Sequence, residues 1–296
     1  MKKYCRTDLA CEADTDLAHI QGTKYNVEDH DICVIERLDI LSNTAAESLN
    51  KKKGRYITVN TPRLHLLDKE DIDSLAHIVA HEINSLLCHI TKRTCVDRDL
   101  SVLVAGLGNS NITADAVGPE TVDRITVTRH LKNREARLFN MLNMCSVSAI
   151  TPNVLGKTGM ESTDLIRSAA ENISPHALIV IDALAARSVS RLARTIQITD
   201  TGITPGAGIG NIRSELSLKS LNIPVIAIGI PTVVDSATMV ADALYSAGID
   251  HLSKETASVL DTMENFFVTP KETDTIIESS AMLLSRALNE AFVIEQ

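Results

Sequence analysis

Three short apolar runs punctuate the second half of the chain. LSVLVA at 100–105 stops at Gly-Leu-Gly-Asn, ALIVI at 177–181 ends at Asp182, and PVIAI at 224–228 ends at Gly-Ile-Pro. Runs without polar alternation suit strands covered on both faces, as the strands of parallel sheets are. Apolar residues at three- and four-residue steps predict helices over 117–130, 162–172 and 234–247. Strand, loop, helix, strand is the rhythm of crossover units. The pattern therefore predicts an α/β domain in three layers, a mostly parallel twisted sheet with helices on both faces. A last helix is expected over 271–292, with Thr269 as its N-cap and Pro270 at the first helical position.

The first hundred residues read differently. Residues 1–30 are polar and irregular, and runs 32–40 and 55–59 are β-rich. Between those runs lies a helical or loop stretch with Lys51-Lys52-Lys53, which reads as a solvated turn. Over 68–88 the residues Ile72, Leu75, Val79, Ile83, Leu86 and Leu87 recur at helical spacing. This is a β-rich N-terminal elaboration of one domain, and 296 residues are within reach of a single large α/β domain.

Composition removes several classes of function. A chain of this length buries roughly three quarters of its unfolded surface and needs no staple. The six cysteines (5, 11, 33, 88, 95 and 145) show no CxxC spacing and read as free thiols. A net charge of -9 repels phosphate backbones and anionic membrane surfaces. Aromatic residues at 3%, with no Trp, leave few platforms for stacking single-stranded bases. Neither direct nucleic-acid binding nor membrane binding is expected. The N-terminus turns acidic within ten residues and has no apolar signal-peptide core, and no run approaches the ~20 apolar residues of a span. A cytoplasmic protein is expected.

Ligands in open α/β sheets sit beyond the carboxyl ends of the strands. The candidate segments are therefore GLGNSNITAD (106–115), DALAAR (182–187) and GIPTVVD (229–235). Gly106-Leu-Gly108 lacks the third glycine of a dinucleotide loop, since residue 111 is Asn, and no phosphate-binding P-loop is present. His77 and His81 flank no H-E-x-x-H motif because residue 85 is Ser, so no metal site is expected. Cys145 and Ser188 sit in no nucleophile elbow, and Cys145 reads as buried and inert. A pair of carboxylates remains. Asp182 follows five apolar residues and so lies at the edge of a low-dielectric core, and Asp115 lies in the loop after the first apolar run. Two carboxyls that share a proton can hydrolyse a peptide. One activates water and the other protonates the carbonyl oxygen or the leaving amine. Spacing alone leaves open the alternative that each aspartate caps a neighbouring helix or loop.

Long stretches identify a resemblance. VAGLGNSNITADAVGPETVDRITVTRH (104–130), VIDALAARSVSRLARTIQITDTGITPGAGIGN (180–211), IPVIAIGIPTVVDSATM (223–239) and VTPKETD (268–274) closely resemble the spore germination protease family, as do RTDLA (6–10) and KKKGRY (51–56). The resemblance implies an atypical aspartic endopeptidase of the spore-core cytoplasm. Such an enzyme takes no cofactor, is a homotetramer, and degrades the small acid-soluble proteins that coat spore DNA. It implies Asp115, in TADAVGP, and Asp182, in IDALAAR, as the catalytic pair. It also implies a zymogen that trims its own N-terminus.

Family substrates are cut within a Thr-Glu, apolar, Ala-x-Glu motif, and Thr7-Asp8-Leu9-Ala10-Cys11-Glu12 has that form with Asp for Glu. Self-cleavage is then expected between Asp8 and Leu9, giving a propeptide 1–8 and a protease domain 9–296. A tethered pseudo-substrate has a high effective concentration. Two departures from the family pattern are the seven residues before Asp8 and the short stretch between 249 and 268.

Supporting roles are expected for several neighbours. Asn109 would orient a carboxylate or stabilise an oxyanion. Gly206 and Gly208 would let the 202–211 loop pass close to the site. Arg187 and Arg191 would recognise acidic residues flanking the scissile bond, or form salt bridges on a helix. The expected fold also resembles hydrogenase maturation proteases, whose Gly-x-Gly-Asn loop and strand-end Asp hold nickel. A metal-dependent maturation endopeptidase is therefore the rival reading, and a non-catalytic α/β binding protein is a second.

Overall fold

The computed structural model describes residue 4 and residues 6–12, 20–206, 214–249, 251–263 and 266–294. In chain order the elements are β1 (Thr23–Asp29), β2 (Val34–Ile40), α1 (Asn43–Leu49), β3 (Gly54–Asn60), α2 (Lys69–Thr91), β4 (Ser101–Gly106), α3 (Val117–Val122), α4 (Arg129–Arg134) and α5 (Ala136–Leu142). They continue with β5 (Ser146–Ile150), α6 (Leu155–Thr158), α7 (Ser162–Ile173), β6 (Ala177–Ala186), β7 (Thr195–Thr199), α8 (Leu218–Leu221), β8 (Val225–Asp235), α9 (Ser236–Ser246), α10 (Lys254–Thr262), β9 (Phe267–Val268) and α11 (Thr273–Ala291).

The apolar runs are strands for the reason their composition suggests. Val102, Leu103, Val104 and Ala105 are all fully buried, and so are Leu178, Ile179, Val180 and Ile181. Successive side chains point to opposite faces. Val102, Val104, Ile179 and Ile181 pack with Leu75, Val79 and Ile83 of α2 and Leu284 and Leu288 of α11. Leu103, Ala105, Leu178 and Val180 pack on the other face with Ile166 and Ala170 of α7. Helices thus cover both faces of the sheet, in three layers.

The sheet runs β1-β2-β3-β7-β8-β6-β4-β5, with β9 pairing β8 off this path. Only a minority of its pairings are parallel. β8, β6, β4 and β5 pair in parallel, whereas β1 to β2, β2 to β3, β3 to β7, β7 to β8 and β8 to β9 are antiparallel. The expected mostly parallel sheet is therefore a mixed one. Residues 187–194 turn the chain straight back after β6, with no crossover helix, so β7 enters antiparallel. Through β7 the N-terminal elaboration joins the main sheet instead of forming a separate layer.

Several boundaries move. Residues 1–30 are not irregular throughout, because β1 adds an edge strand paired along its length with β2. The expected 117–130 helix breaks after Val122. Thr128 is fully buried, its hydroxyl donates to the Cys145 carbonyl at 2.6 Å and accepts from the Val147 amide at 2.9 Å, and this holds the chain against β5. β8 continues to Asp235, whose carboxylate caps α9 by accepting from the Thr238 amide at 2.9 Å. Thr269 does not cap the last helix. Helix α11 starts at Thr273, after Glu272, with no side-chain cap. Cys11, Cys33, Cys88, Cys95 and Cys145 are free thiols. Cys145 is fully buried, and burial pushes its thiol up to about 12. Among the described residues, no helix is long and apolar enough to cross a membrane.

Candidate active site

The site exists because neighbouring parallel strands differ in length. β4 ends at Gly106, opposite Ile181 of β6, whereas β6 and β8 remain paired as far as Ala186 and Val234. Asp182 is thus the first β6 residue past the end of β4, and it pairs with Gly229 of β8. The apolar run read as a strand ending at Asp182 is corrected: the strand continues for four residues, and the element that ends there is its neighbour.

The 107–116 loop folds into the space that β4 vacates. The Leu107 amide donates to the Ile181 carbonyl at 2.8 Å, the Asn109 amide to the Asp115 carbonyl at 3.1 Å, and the Asp115 amide to the Ile112 carbonyl at 2.8 Å. The Thr232 hydroxyl of β8 holds the Ala114 carbonyl at 2.7 Å. Gly108 has φ +115°, and a Cβ there would meet the Asp115 carbonyl oxygen at 2.0 Å. Only glycine permits so close a return. The loop thereby brings Asp115 to the wall of a cavity of about 620 Å³ that Asp182 also lines. Asp182 is buried, with one carboxylate oxygen accepting from the Ala183 amide at 3.0 Å. Asp115 is half-buried.

Thr7 and Asp8 line the same cavity. The Asp8 amide donates to the Ala185 carbonyl at 3.0 Å, and the Asp8 carboxylate accepts from the Ala185 amide at 2.9 Å. Leu9 is fully buried among Leu184, Ala186, Leu192 and Val234. The Glu12 carboxylate accepts from the Arg187 and Ser188 amides at 2.8 and 2.9 Å, and from the Thr7 hydroxyl. The segment 7–12 is thus held along the far half of β6 and the turn after it.

Two residues that the sequence did not single out complete this contact. Lys51 Nζ and Gln197 Nε2 both donate to the Asp8 carbonyl oxygen, at 3.1 and 3.2 Å. Lys51 is not the solvated turn residue its sequence context suggests. Asn50, in the left-handed conformation at φ +49°, ends α1, and Lys51 is half-buried on the cavity wall. No periodicity marks it. Gln197 did leave a signal: TIQIT alternates, and Thr195, Gln197 and Thr199 are all buried on a central strand.

The remaining candidates occupy varied positions. The Asn109 side chain accepts from the Asn111 amide at 3.0 Å and so stabilises the loop that carries Asp115. Gly206, at φ +73°, lines the cavity, and Gly208 lies outside the described residues. The Arg187 guanidinium pairs with Asp242 at 2.8 Å and lies 5.6 Å from the Tyr245 ring centre, while its backbone amide holds Glu12. Arg191 donates to Asn60 at 2.5 Å. His77 contacts Glu290, and Glu82 is buried against Arg37, with bonds of 2.6 and 3.0 Å. Among the described residues, no three His, Cys, Asp or Glu side chains gather as metal ligands would.

Comparison with known proteins adds the family. The germination protease family model matches residues 4–263. A germination protease of Clostridium acetobutylicum is 37% identical, covering 97% of this chain and 94% of that protein. One from Clostridium perfringens is 38% identical with the same coverage of both chains. One from Caldanaerobacter subterraneus is 38% identical over 97% of this chain and 93% of that protein. The matched region takes in the docked 7–12 segment and every cavity residue described above up to β8. The chain therefore belongs to the germination protease family and is a peptidase of spore germination.

Proposed function

We propose that the protein is an endopeptidase that uses Asp115 and Asp182 as a general acid–base pair. One carboxylate accepts a proton from water as its oxygen adds to the scissile carbonyl carbon. The other, protonated, gives its proton to the leaving amine as the C–N bond breaks. The substrates are the small acid-soluble spore proteins, cut by a homotetramer in the spore core, and the chain is a zymogen that first cuts itself between Asp8 and Leu9.

One observation carries this reading. Both aspartates line one cavity, and Thr7 and Asp8 line it too. The burial of Leu9 and the paired amides on Glu12 account for a motif with an apolar residue after the cut and an acid three residues beyond it.

The test is digestion of a small acid-soluble spore protein by wild type, Asp115→Asn and Asp182→Asn, each with and without a chelator. Each variant is expected to lose about 10²–10⁴-fold in kcat, the range for general acid–base groups. Full activity in either variant sinks the pair, and loss of wild-type activity with chelator moves the chemistry to a metal. N-terminal mass spectrometry checks the zymogen, with a new terminus at Leu9 expected.

A further inference from the structure

We infer that Lys51 and Gln197 form the oxyanion-binding pair for the bond after Asp8, and that Gln197 also clamps the chain across that bond. The inference rests on the endopeptidase reading above, but it concerns different residues and fails separately.

Peptide carbonyl oxygens in a docked segment usually find strand amides. The Asp8 carbonyl instead meets two side-chain donors from two different elements, the Lys51 ammonium at 3.1 Å and the Gln197 amide at 3.2 Å. The other end of the Gln197 side chain accepts from the Ala10 amide at 2.5 Å. One side chain therefore spans from the carbonyl before Leu9 to the amide after it, and holds the chain on both sides of Leu9. Gln197 is itself held in β7, paired with Gly229 and Thr58, and is 7% exposed. Asp115 and Asp182 line the same cavity as Lys51, Gln197 and Asp8. Preorganised donors aimed where negative charge develops are among the largest contributions to acyl-transfer catalysis.

The step balances as follows. A water oxygen adds to the Asp8 carbonyl carbon, and its proton goes to the ionised aspartate. The carbonyl π electrons move to the Asp8 oxygen, where the Lys51 ammonium and the Gln197 amide meet the charge. As that oxygen reforms its double bond, the C–N bond breaks and the Leu9 nitrogen takes the proton of the second aspartate. The products are an Asp8 carboxyl and a Leu9 amine. With the oxyanion met by these two donors, neither aspartate has to protonate it, and the acidic proton is free for the leaving nitrogen. Burial lowers the Lys51 ammonium below the usual lysine range, while the charges of Asp8, Cys11 and Glu12 pull it back. A charged group so placed exerts more field than it would in water.

The experiment compares wild type, Lys51→Met, Lys51→Arg, Gln197→Ala and Gln197→Glu, with Asp115→Asn and Asp182→Asn alongside. Two readouts are used: release of residues 1–8 from the chain itself, and turnover of a synthetic peptide of residues 4–16. Lys51→Met is expected to lower kcat by about 10²–10³-fold with KM changed by less than about threefold, and Lys51→Arg to restore at least a tenth of the wild-type rate. Gln197→Ala is expected to lower kcat and also raise KM, because it releases Ala10, and Gln197→Glu to lower kcat at least as far, since it replaces a donor by an anion. Thermal melts identify any variant that fails to fold, and the remaining variant at the other position then decides. Wild-type kcat in a folded Lys51→Met or Gln197→Ala enzyme overturns the pair, even where both aspartate variants are dead. Full activity in the aspartate variants overturns the acid–base reading instead. A wild type that cuts neither itself nor the peptide removes both.

Discussion

Replacing Gly118 by alanine should disable the site without touching a titratable group. Gly118 lies in the first turn of α3, three residues after Asp115. A Cβ at this position would sit 2.2 Å from the Leu107 carbonyl oxygen, 2.7 Å from the Leu107 amide nitrogen and 2.7 Å from the Ile181 carbonyl oxygen. All three are backbone atoms, so no rotamer change relieves the contact. Restoring ordinary contact requires a shift of about 1 Å. The atoms that must part include the 2.8 Å bond from the Leu107 amide to the Ile181 carbonyl, which ties the 107–116 loop to β6 just before Asp182. Overpacking of this kind costs about 1–3 kcal/mol, against about 1 kcal/mol gained from the better helix propensity of alanine. A net loss of up to about 2 kcal/mol in urea unfolding is expected. A displacement of about 1 Å between reacting groups costs on the order of 10² in rate. The kcat for the 4–16 peptide should fall by that factor, far more than the change in stability alone would produce in a folded enzyme. Gly156→Ala is the control. It too is a helical glycine, but a Cβ there meets nothing within 4 Å, and it should be neutral or slightly stabilising. If Gly118→Ala melts and turns over like Gly156→Ala, the loop does not set the distance between the two aspartates and the account of the site is wrong.

Further outcomes follow from the same geometry. Leu9 is fully buried against Leu184, Leu192 and Val234, so a 4–16 peptide with alanine in its place should lose about 2–5 kcal/mol of docking and show KM raised at least about 30-fold; an unchanged KM would mean that Leu9 occupies no specificity pocket. The Lys51 amine, lowered by burial, must stay protonated to bring its full charge to the Asp8 oxygen, so kcat should fall as pH rises through a value below the ordinary ~10.4 for lysine. Lys51→Arg, always charged, should move that limb upward, and an unmoved limb assigns it to another group. Away from the site, Arg37 forms a two-bond pair with Glu82, whose side chain is 6% exposed against 29% for Arg37. Arg37→Met strands a buried carboxylate and should cost about 3–5 kcal/mol, clearly more than Glu82→Met, which leaves an arginine that water can reach; urea unfolding of the two variants in the opposite order would refute that assignment.

What the sequence revealed and what it hid divide along a physical line. Side chains in β4, β6 and β8 serve one purpose, burial on two faces, and an uninterrupted apolar run records that purpose locally. Asp182 was visible for the same reason, as the place where the apolar run stops, although it stands in mid-strand and is exposed to the cavity only because β4, seventy-six residues upstream at Gly106, ends beside Ile181. Strand-length mismatch is a property of two segments, and no single window contains it. The antiparallel β7 alternates as a strand does, but five residues of TIQIT do not tell which neighbours the strand will have or which way it will run. Gln197 inherits that obscurity, since its place over the Asp8–Leu9 bond depends on β7 inserting between β3 and β8.

Lys51 is the extreme case. Three consecutive lysines look alike, Lys52 and Lys53 are exposed, and only the left-handed Asn50 at the end of α1 turns the first of them inward. Asp182 stood out because it interrupts an apolar run, whereas Asp115 lies in a polar loop and was matched with it only through the family resemblance. Oxyanion donors need not interrupt such a run. A lysine tip or a glutamine amide can reach a carbonyl from a polar turn or an alternating strand, where its presence is unremarked, so this half of a hydrolytic site is the one that only the folded chain displays. If that reasoning is right, a Lys51→Met enzyme will melt like the wild type and retain the peptide KM, and its loss will appear in kcat alone.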